Sequence, residues 1–231
     1  MYQRVLLKLS GEQLAGKFDG GIDTGFCKWL VDEVGPIKEQ IVIMVGGGNF
    51  ARGAQLAGGG VKRVTADHIG MLGTLMNALA LADIFNNNGL KARALSHIKA
   101  DQVVDQFTHR RAVSDLNKGR VVISAGGIGR PYLTTDTAAV SMALELDCDV
   151  VLKATKVDGI YDKDPEINSD AKKLEAVDYQ QAVADGAIRI MDKAALGLAM
   201  EHKMPIVVFN AFEPGNIAAA ASGQSIGTKI G

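Results

Sequence analysis

The residues best suited to chemistry form a polar loop directly after one of the most apolar segments of the chain. Val150–Leu152 is predicted to be a buried strand, and it runs into Lys153–Pro165, which is rich in Lys, Thr, Asp and Gly. Ligands of an open α/β sheet bind beyond the carboxyl ends of its strands. Lysines and aspartates gathered at one strand end suit a phosphate chain with its magnesium ion. The alternative is a plain surface turn, because Asp-Gly and Asp-Pro are common turn sequences.

A second candidate loop, Lys8–Gly11, ends the first predicted strand. A lysine near the end of a buried strand is costly unless it has a partner, and a bound phosphate would be such a partner. The alternative is a lysine at the sheet edge whose ammonium group reaches solvent.

A third loop, Gly46–Gly53, carries three successive glycines and an arginine. The glycines let the backbone approach a ligand closely and present its amides to an anion. A helix starting at Asn49 would add the attraction of its N-terminal dipole. Arg52 would offer a planar cation with several donors to phosphate oxygens. A flexible surface turn is disfavoured directly after the apolar run Ile41–Val45.

A fourth loop, Ser124–Asp136, joins another apolar strand to a helix. Thr134, Thr135 and Asp136 are all able to cap that helix, but one residue is enough for a cap. The other two suit recognition of hydroxyl groups and of a base.

In the loop after Val150–Leu152, Tyr161 could stack on a purine or simply cover the edge of the sheet.

The elements that must position these loops alternate along the chain. Six short apolar runs are continuous and not alternating, as in strands buried on both faces: Val5–Leu9, Ile41–Val45, Ala92–Leu95, Val121–Ser124, Val150–Lys153 and Ile206–Phe209. Helical patterns separate them: Phe26–Ile37, Thr65–Asn87 with Thr65 or Asp67 as its cap, Thr134–Leu146, Met191–His202 and Ile217–Ala221. This order predicts an α/β protein, a three-layer α/β/α sandwich around a mainly parallel sheet. No linker or repeat divides residues 1–231, so one domain is expected.

Composition narrows the function classes. The 231 residues are 47% hydrophobic and 22% charged, as in a soluble globular protein, and no apolar run approaches the ~20 residues of a membrane helix. A strand-like N-terminus without a signal segment predicts a cytoplasmic protein. A net charge of −1 does not favour nucleic-acid binding. Cys27, Cys148 and four scattered histidines give no metal-ligand spacing, so no protein-bound metal site is predicted.

Other nucleotide-binding and catalytic signatures fail. Gly11–Phe18 nearly matches the Walker A pattern, but Phe18 replaces the Ser or Thr whose hydroxyl would bind magnesium. The sequence has neither a serine nucleophile elbow nor a Cys–His pair, so it does not indicate covalent catalysis.

Five motifs, in order along essentially the whole chain, resemble those of the bacterial uridylate kinases, members of the amino acid kinase superfamily. They are Lys8–Gly11, Gly46–Asn49, Asp67–Leu72, Thr134–Asp136 and Lys153–Gly159. The resemblance implies the amino acid kinase (acetylglutamate kinase-like) fold, with an acceptor lobe mainly N-terminal and an ATP-binding lobe mainly C-terminal. It also implies phosphoryl transfer from MgATP to UMP in pyrimidine nucleotide biosynthesis, by a homohexamer.

The resemblance assigns residues to each substrate. ATP would contact Lys8, Leu9, Ser10, Gly11, Gly48, Arg52, Thr155, Tyr161 and Asp164. UMP would contact Gly47, Asp67, Ile128, Gly129, Arg130, Pro131, Tyr132, Leu133, Thr134 and Thr135. Lys153 would lie near the transferred phosphate, and with Lys8 and Arg52 would stabilise its charge. The acceptor phosphate is already an anion, so the chemistry requires no strong general base.

The chain departs from the family at two positions of the fourth loop. Ile128 and Arg130 stand where the family usually has Thr and Asn. Ile128 loses a hydroxyl that could read the base, and Arg130 adds a cation for a phosphate or a neighbouring subunit. A further segment corresponds to one linked to GTP activation, with UTP as a second expected effector: Gly16, Lys17, Phe18, Asp19, Gly20 and Gly21. A hairpin tip is the simpler interpretation of that segment.

Two other functions stay open at this point. The chain could be another superfamily kinase that forms an acyl phosphate on carbamate, glutamate or aspartate. It could also be a non-catalytic relative that binds nucleotides or oxyanions. Asp67 with His68, and Thr134–Asp136, favour a nucleotide acceptor. The retention of four charged residues favours a catalyst over a binder: Lys8, Arg52, Lys153 and Asp164.

Overall fold

The computed structural model describes residues 2–163, 165, 167–168, 170–184 and 191–231. The strands are β1 Arg4–Leu9, β2 Gln40–Val45, β3 Ala92–Ser96, β4 Asp105–Gln106, β5 Val121–Ala125, β6 Val150–Thr155, β7 Ile160–Tyr161, β8 Lys173–Leu174, β9 Ala176–Val177, β10 Ile206–Asn210 and β11 Thr228–Ile230. The helices are α1 Gly11–Leu14, α2 Thr24–Val34, α3 Gly53–Gly58, α4 Arg63–Asn87, α5 His109–Asn117, α6 Thr135–Glu145, α7 Tyr179–Ala184, α8 Lys193–His202 and α9 Asn216–Ala221.

A nine-stranded sheet organises the molecule, in the order β4-β3-β5-β2-β1-β6-β10-β11-β9. Its pairings are parallel except for the antiparallel pair of β10 and β11. Strands β2 to β5 lie on one side of β1, with β5 inserted between β2 and β3, and the chain builds the other side from β6 onward. The sheet therefore has its topological switch point at β1 and β6, where a ligand crevice is expected beyond the strand ends.

Helices cover both faces of this sheet. One apolar core lies between the strands and α2, α4 and α9, and a second lies between the strands and α5, α6 and α8. Side chains alternate between the two cores along β1: Val5, Leu7 and Leu9 belong to the first, and Leu6 to the second. The predicted three-layer α/β/α sandwich is confirmed.

The six predicted strands are all present, and their bounds differ by only one or two residues. No helix starts at Asn49, so the dipole considered for that position is not available, because residues 48–50 form a turn and α3 begins only at Gly53. The predicted cap of α4 is also wrong. The helix begins at Arg63 after Lys62, which makes no side-chain cap, so Thr65 and Asp67 lie inside its first turns.

The helix α4 is long and apolar enough to cross a membrane by length and composition alone. Half of its most apolar window is nevertheless buried inside the protein. Its buried residues, Leu75, Leu81 and Phe85 among them, pack against the sheet. A core helix of a soluble domain has this pattern equally well.

Candidate active site

Two lysines and one aspartate form the centre of the site. Lys8 on β1 and Lys153 on β6 are register partners across the parallel pair, and both face the layer that contains α6. Asp136, in the first turn of α6, forms an ion pair with each lysine. Its Oδ1 lies 2.8 Å from Lys8 Nζ, and its Oδ2 lies 2.6 Å from Lys153 Nζ. Both lysines are more than nine-tenths buried.

This triad corrects two sequence expectations. Lys8 lies on the central strand of the sheet and not at a solvent-facing edge. Its partner here is Asp136, which the sequence had suggested for hydroxyl or base recognition and not as a counter-charge. A buried lysine needs such a partner because an unpaired charge in the interior is strongly destabilising.

The electrostatics of the triad leave a net positive charge at the strand ends. Burial alone would raise the pKa of Asp136, but the charges of Lys8 and Lys153 outweigh burial and hold it below its usual value. Burial lowers the pKa of Lys153, and the attraction of Asp136 only partly offsets this effect. Two cations and one anion in a poorly hydrated place favour an added phosphate group.

The loop after β1 contacts the glycine triplet closely. Ser10 Oγ accepts a hydrogen bond from the Gln13 amide, and Gln13 Oε1 accepts one from the Ser10 amide, which together cap α1. A Cβ atom on Gly11 would lie 2.5 Å from the Gly48 nitrogen, so only glycine allows this approach. Leu9 is buried in the core between the sheet and α2, so only its backbone can face a ligand.

Hydrogen bonds from two asparagines fix the backbone of the glycine triplet, Gly46–Gly48. Asn77, which is almost fully buried, donates to the Gly46 carbonyl at 2.7 Å and to Asn49 Oδ1 at 2.7 Å. Asn49 donates in return to Asn77 Oδ1 at 2.8 Å and to the Gly21 carbonyl at 2.6 Å. The pair fixes the loop after β2 and ties it to the segment before α2.

Arg52 lies just beyond the triplet, at the start of α3. Its guanidinium group is 2.7 Å from Glu12 Oε1, and both side chains are about half exposed. An exposed pair of this kind is worth little to stability. Arg52 can therefore exchange Glu12 for a ligand phosphate at small cost.

The loop before α6 uses left-handed backbone at four positions: Gly126, Gly127, Gly129 and Tyr132. The Gly126 amide donates to Thr74 Oγ1 at 2.7 Å, which joins this loop to α4. Ile128 is partly buried and packs on the second core, and Arg130 is exposed. Ile128 thus contributes apolar packing at this position.

Thr134 is the residue that caps α6, so the prediction that one of the three polar residues is a plain cap is confirmed. Its hydroxyl accepts from the Asp136 amide at 3.0 Å and donates to Asp192, which caps α8. The single hydroxyl hydrogen of Thr134 is therefore committed within the protein, and what this residue can donate to a ligand is its backbone N–H.

A cavity of about 260 Å³ lies between the glycine triplet, α4 and the start of α6. It brings together five residues of the predicted UMP set: Gly47, Asp67, Leu133, Thr134 and Thr135. The other members do not line it: Ile128, Gly129, Arg130, Pro131 and Tyr132. Arg63, which the sequence reasoning did not select, does line it.

A second cavity of about 660 Å³ lies on the other side of the triplet and shares Gly48 and Ala51 with the first. Arg52 and Lys156 contribute cations to it. Part of the predicted regulatory segment also lines it: Gly16, Phe18, Asp19 and Gly20. That segment is a turn between α1 and α2 with no flanking strands, so its interpretation as a hairpin tip is wrong.

The remaining predicted ATP residues follow β6. Thr155 Oγ1 lies 2.7 Å from the Val157 carbonyl oxygen. The Tyr161 hydroxyl donates to Asp158 at 2.7 Å, and Lys173 contacts the other oxygen of that carboxylate at 3.2 Å. Asp164 lies outside the described residues. These contacts hold the loop after β6, and neither Lys8 nor Lys153 takes part in them.

Sequence reasoning missed the counter-charge role of Asp136 and the presence of Arg63 in the first cavity. Asp136 belonged to a motif whose polar residues all suit helix capping, which concealed its second role. A rule could have found it, since two buried lysines on neighbouring strands require a carboxylate between them.

Comparison with known proteins agrees with this geometry. Residues 3–210 match the model of the amino acid kinase family. The crystal structure of UMP kinase from Bacillus anthracis superimposes with a TM-score of 0.93 at 36% identity, covering 99% of this chain and 96% of that one. UMP kinase from Ureaplasma parvum superimposes with a TM-score of 0.92 at 31% identity, covering 100% and 99%. The chain therefore belongs to the amino acid kinase family.

Within that family its similarity is to uridylate kinases. A protein named uridylate kinase from Xanthomonas euvesicatoria pv. vesicatoria (strain 85-10) is 44% identical over 232 aligned residues, which cover 99% of this chain and 96% of that protein. The resemblance to bacterial uridylate kinases predicted from the five motifs is confirmed.

Proposed function

We propose that this protein transfers the γ-phosphoryl group of ATP to UMP, giving UDP and ADP. The observation that carries the proposal is the ion triad at the switch point of the sheet, where two buried lysines share one aspartate. Phosphoryl transfer needs alignment and charge stabilisation more than a nucleophilic side chain. Lys8 and Lys153 supply fixed positive charge to the oxygens of the group in transit.

UMP occupies the cavity lined by Gly47, Asp67 and Thr134. Its phosphate lies toward Gly48, and its ribose hydroxyls lie toward the Asp67 carboxylate. ATP approaches from the other side of the glycine triplet, with its phosphate chain toward Lys8, Gly48 and Arg52. From the resemblance to the uridylate kinases, we also propose that the acceptor lobe is mainly N-terminal and the ATP-binding lobe mainly C-terminal, within one domain.

The donor set fits a magnesium ion that arrives on ATP. Mg²⁺ usually binds one or two carboxylates together with substrate phosphates and retains several waters. No cluster of three His, Cys, Asp or Glu occurs among the described residues. Both oxygens of Asp136 are engaged by the two lysines, so an ion brought by ATP would be held mainly by phosphate oxygens and water, and its charge would offset the negative charge of both nucleotides.

The resemblance to the uridylate kinases implies finer features, which we include in the proposal. They are a homohexamer in the cytoplasm, a place in pyrimidine nucleotide biosynthesis, and a response to GTP and UTP through the segment Gly16–Gly21. Part of that segment lines the second cavity, and its Gly21 carbonyl accepts the Asn49 amide behind the glycine triplet. Native mass spectrometry and activity titrations with each effector test these features.

The reaction itself is tested by ADP release in the presence of MgATP. The acceptors compared are UMP, CMP, dUMP, glutamate, aspartate and carbamate, each over a range of concentrations. We expect turnover with UMP to exceed turnover with any of the acids. Turnover with one of the acids but not with UMP would assign the chain to the acyl phosphate branch, and saturable ATP binding without turnover would make it a binder.

A further inference from the structure

Arg63 brings an unassigned positive charge into the proposed acceptor cavity. It is the first residue of α4, and its side chain is about half exposed toward that cavity. Its Nε donates to Asp67, one helical turn later, at 2.9 Å from Oδ1 and 3.0 Å from Oδ2. The four N–H groups of its terminal amino nitrogens have no hydrogen-bond partner among the described residues. A guanidinium group with such donors in a cavity is suited to polar ligand atoms.

The Asp67 carboxylate is thereby joined to the loop before α6. Its Oδ2 accepts the backbone N–H of Tyr132 at 2.8 Å. A Cβ atom added to Gly53 would lie only 3.0 Å from the Oδ1 atom of Asp67. The absence of a side chain at Gly53 therefore lets Asp67 lie close to the start of α3. Asp67 thus connects three segments around the cavity: the first turns of α4, the start of α3 and the loop before α6.

Tyr132 holds an uncommon backbone conformation at this junction. Its φ angle is +67°, although it is not a glycine and its side chain is 64% exposed. Residues other than glycine seldom adopt this region, and such strain persists only where the surroundings enforce it. Two contacts enforce it here: the hydrogen bond to Asp67, and the Arg63 guanidinium, which lies 5.4 Å from the centre of the Tyr132 ring.

We propose that Arg63 and Tyr132 are positioning residues of the acceptor site, which fix the Asp67 carboxylate and fasten the loop before α6 over the cavity. Arg63 aims both oxygens of Asp67, and the Tyr132 ring covers the guanidinium group. We call the contacts among Arg63, Asp67 and Tyr132 the clasp. The next three residues line the cavity, so their placement depends on the clasp: Leu133, Thr134 and Thr135. The inference rests on the proposed function, because it takes UMP as the occupant of the cavity.

The test measures KM for UMP, KM for ATP and kcat for a set of variants, together with the dissociation constant of UMP by calorimetry. Arg63→Ala should raise KM for UMP about tenfold or more, since a charged hydrogen bond to Asp67 is lost, while kcat and KM for ATP change less than about threefold. Arg63→Lys keeps the charge but not the planar group, and should lie between wild type and Arg63→Ala. Arg110→Ala, which removes an exposed arginine of α5, is the matched control.

Two changes at Tyr132 separate the ring from the backbone. Tyr132→Gly accepts the positive φ but removes the ring, and should weaken UMP binding. Tyr132→Phe keeps the ring, and should bind UMP about fivefold or more tightly than Tyr132→Gly. Equal UMP affinity in wild type, Arg63→Ala and Tyr132→Gly would overturn the clasp, as would equal losses for both nucleotides. A wild-type protein that neither binds nor phosphorylates UMP would instead overturn the proposed function.

Discussion

Lys8 and Lys153 are register partners on the two central parallel strands, and their ammonium groups meet at the two oxygens of Asp136. Two like charges on adjacent strands repel each other, so the arrangement depends on the carboxylate between them. Asp136 comes from a different layer, at the start of α6. In the proposed reaction a substrate phosphate would approach the same two cations from the crevice, opposite the carboxylate that reaches them from within the fold.

Replacing Asp136 by Asn should damage both activity and stability. The substitution keeps the shape but removes the negative charge that Lys8 and Lys153 share. We expect kcat to fall about 10²-fold and the free energy of unfolding to fall by about 3–5 kcal/mol. Steady-state kinetics and urea unfolding measure the two effects, and Asp32→Asn on the exposed face of α2 is the control.

The same variant makes a second measurement possible. Inorganic phosphate should raise the Tm of Asp136→Asn more than that of the wild type, because it can replace the missing negative charge beside Lys8 and Lys153. Equal stabilisation of both proteins by phosphate would mean that the anion binds elsewhere.

The pH dependence of kcat should reveal the environment of Lys153. Its pKa is lowered mainly by burial, so in the folded protein it loses its proton at a lower pH than an ordinary lysine. Because the protonated form stabilises the transferred phosphate, kcat should fall on the alkaline side, with a midpoint below the usual pKa of lysine. Asp136 raises the pKa of Lys153, so Asp136→Asn should move this midpoint lower still. Rate profiles between neutral and alkaline pH test both statements, and a midpoint that the variant leaves in place would contradict the pairing.

The sequence predicts those parts of the site that depend on residues close together in the chain. Continuous apolar runs mark the six main strands, and glycine clusters mark the loops beyond them, because both depend on neighbours in the chain. The role of Asp136 depends on the register of β1 with β6 and on the approach of α6, which no local pattern encodes. The start of α4 was misplaced for a related reason, since Lys62 provides no side-chain cap to mark it.

Replacing the amide of Asn49 by a carboxylate should destabilise the protein, because Asn49 and Asn77 hydrogen-bond to each other through their amides. Asn49→Asp removes the donor to Gly21 and to Asn77, and sets a carboxylate against the Asn77 carbonyl oxygen. A buried acceptor left without its donor costs about 1–3 kcal/mol, so the free energy of unfolding should fall by that amount or more. Both KM values should rise, because the glycine triplet separates the two substrate cavities.

Asn117→Asp is the matched control for that experiment. Asn117 is exposed at the end of α5. Among the described residues its side chain uses only the carbonyl oxygen, as an acceptor for Gln40, which an aspartate can also provide. Chemical denaturation compares the two variants. A loss of stability as small in Asn49→Asp as in Asn117→Asp would show that the buried pair does not hold the loop.

Arg52→Ala should separate catalysis from folding. The Arg52 side chain is half exposed and paired with Glu12, so its removal should change the free energy of unfolding by less than about 1 kcal/mol. In the proposed reaction the same guanidinium group would face the phosphate chain of ATP, and its loss should lower turnover by about 10²-fold or more. Kinetics at saturating MgATP and UMP, with urea unfolding of the same preparation, measure both quantities. Unchanged turnover under saturating conditions would place Arg52 outside the reacting groups, and the positive charge at the phosphates would then come from Lys8 and Lys153 alone among the three proposed cations.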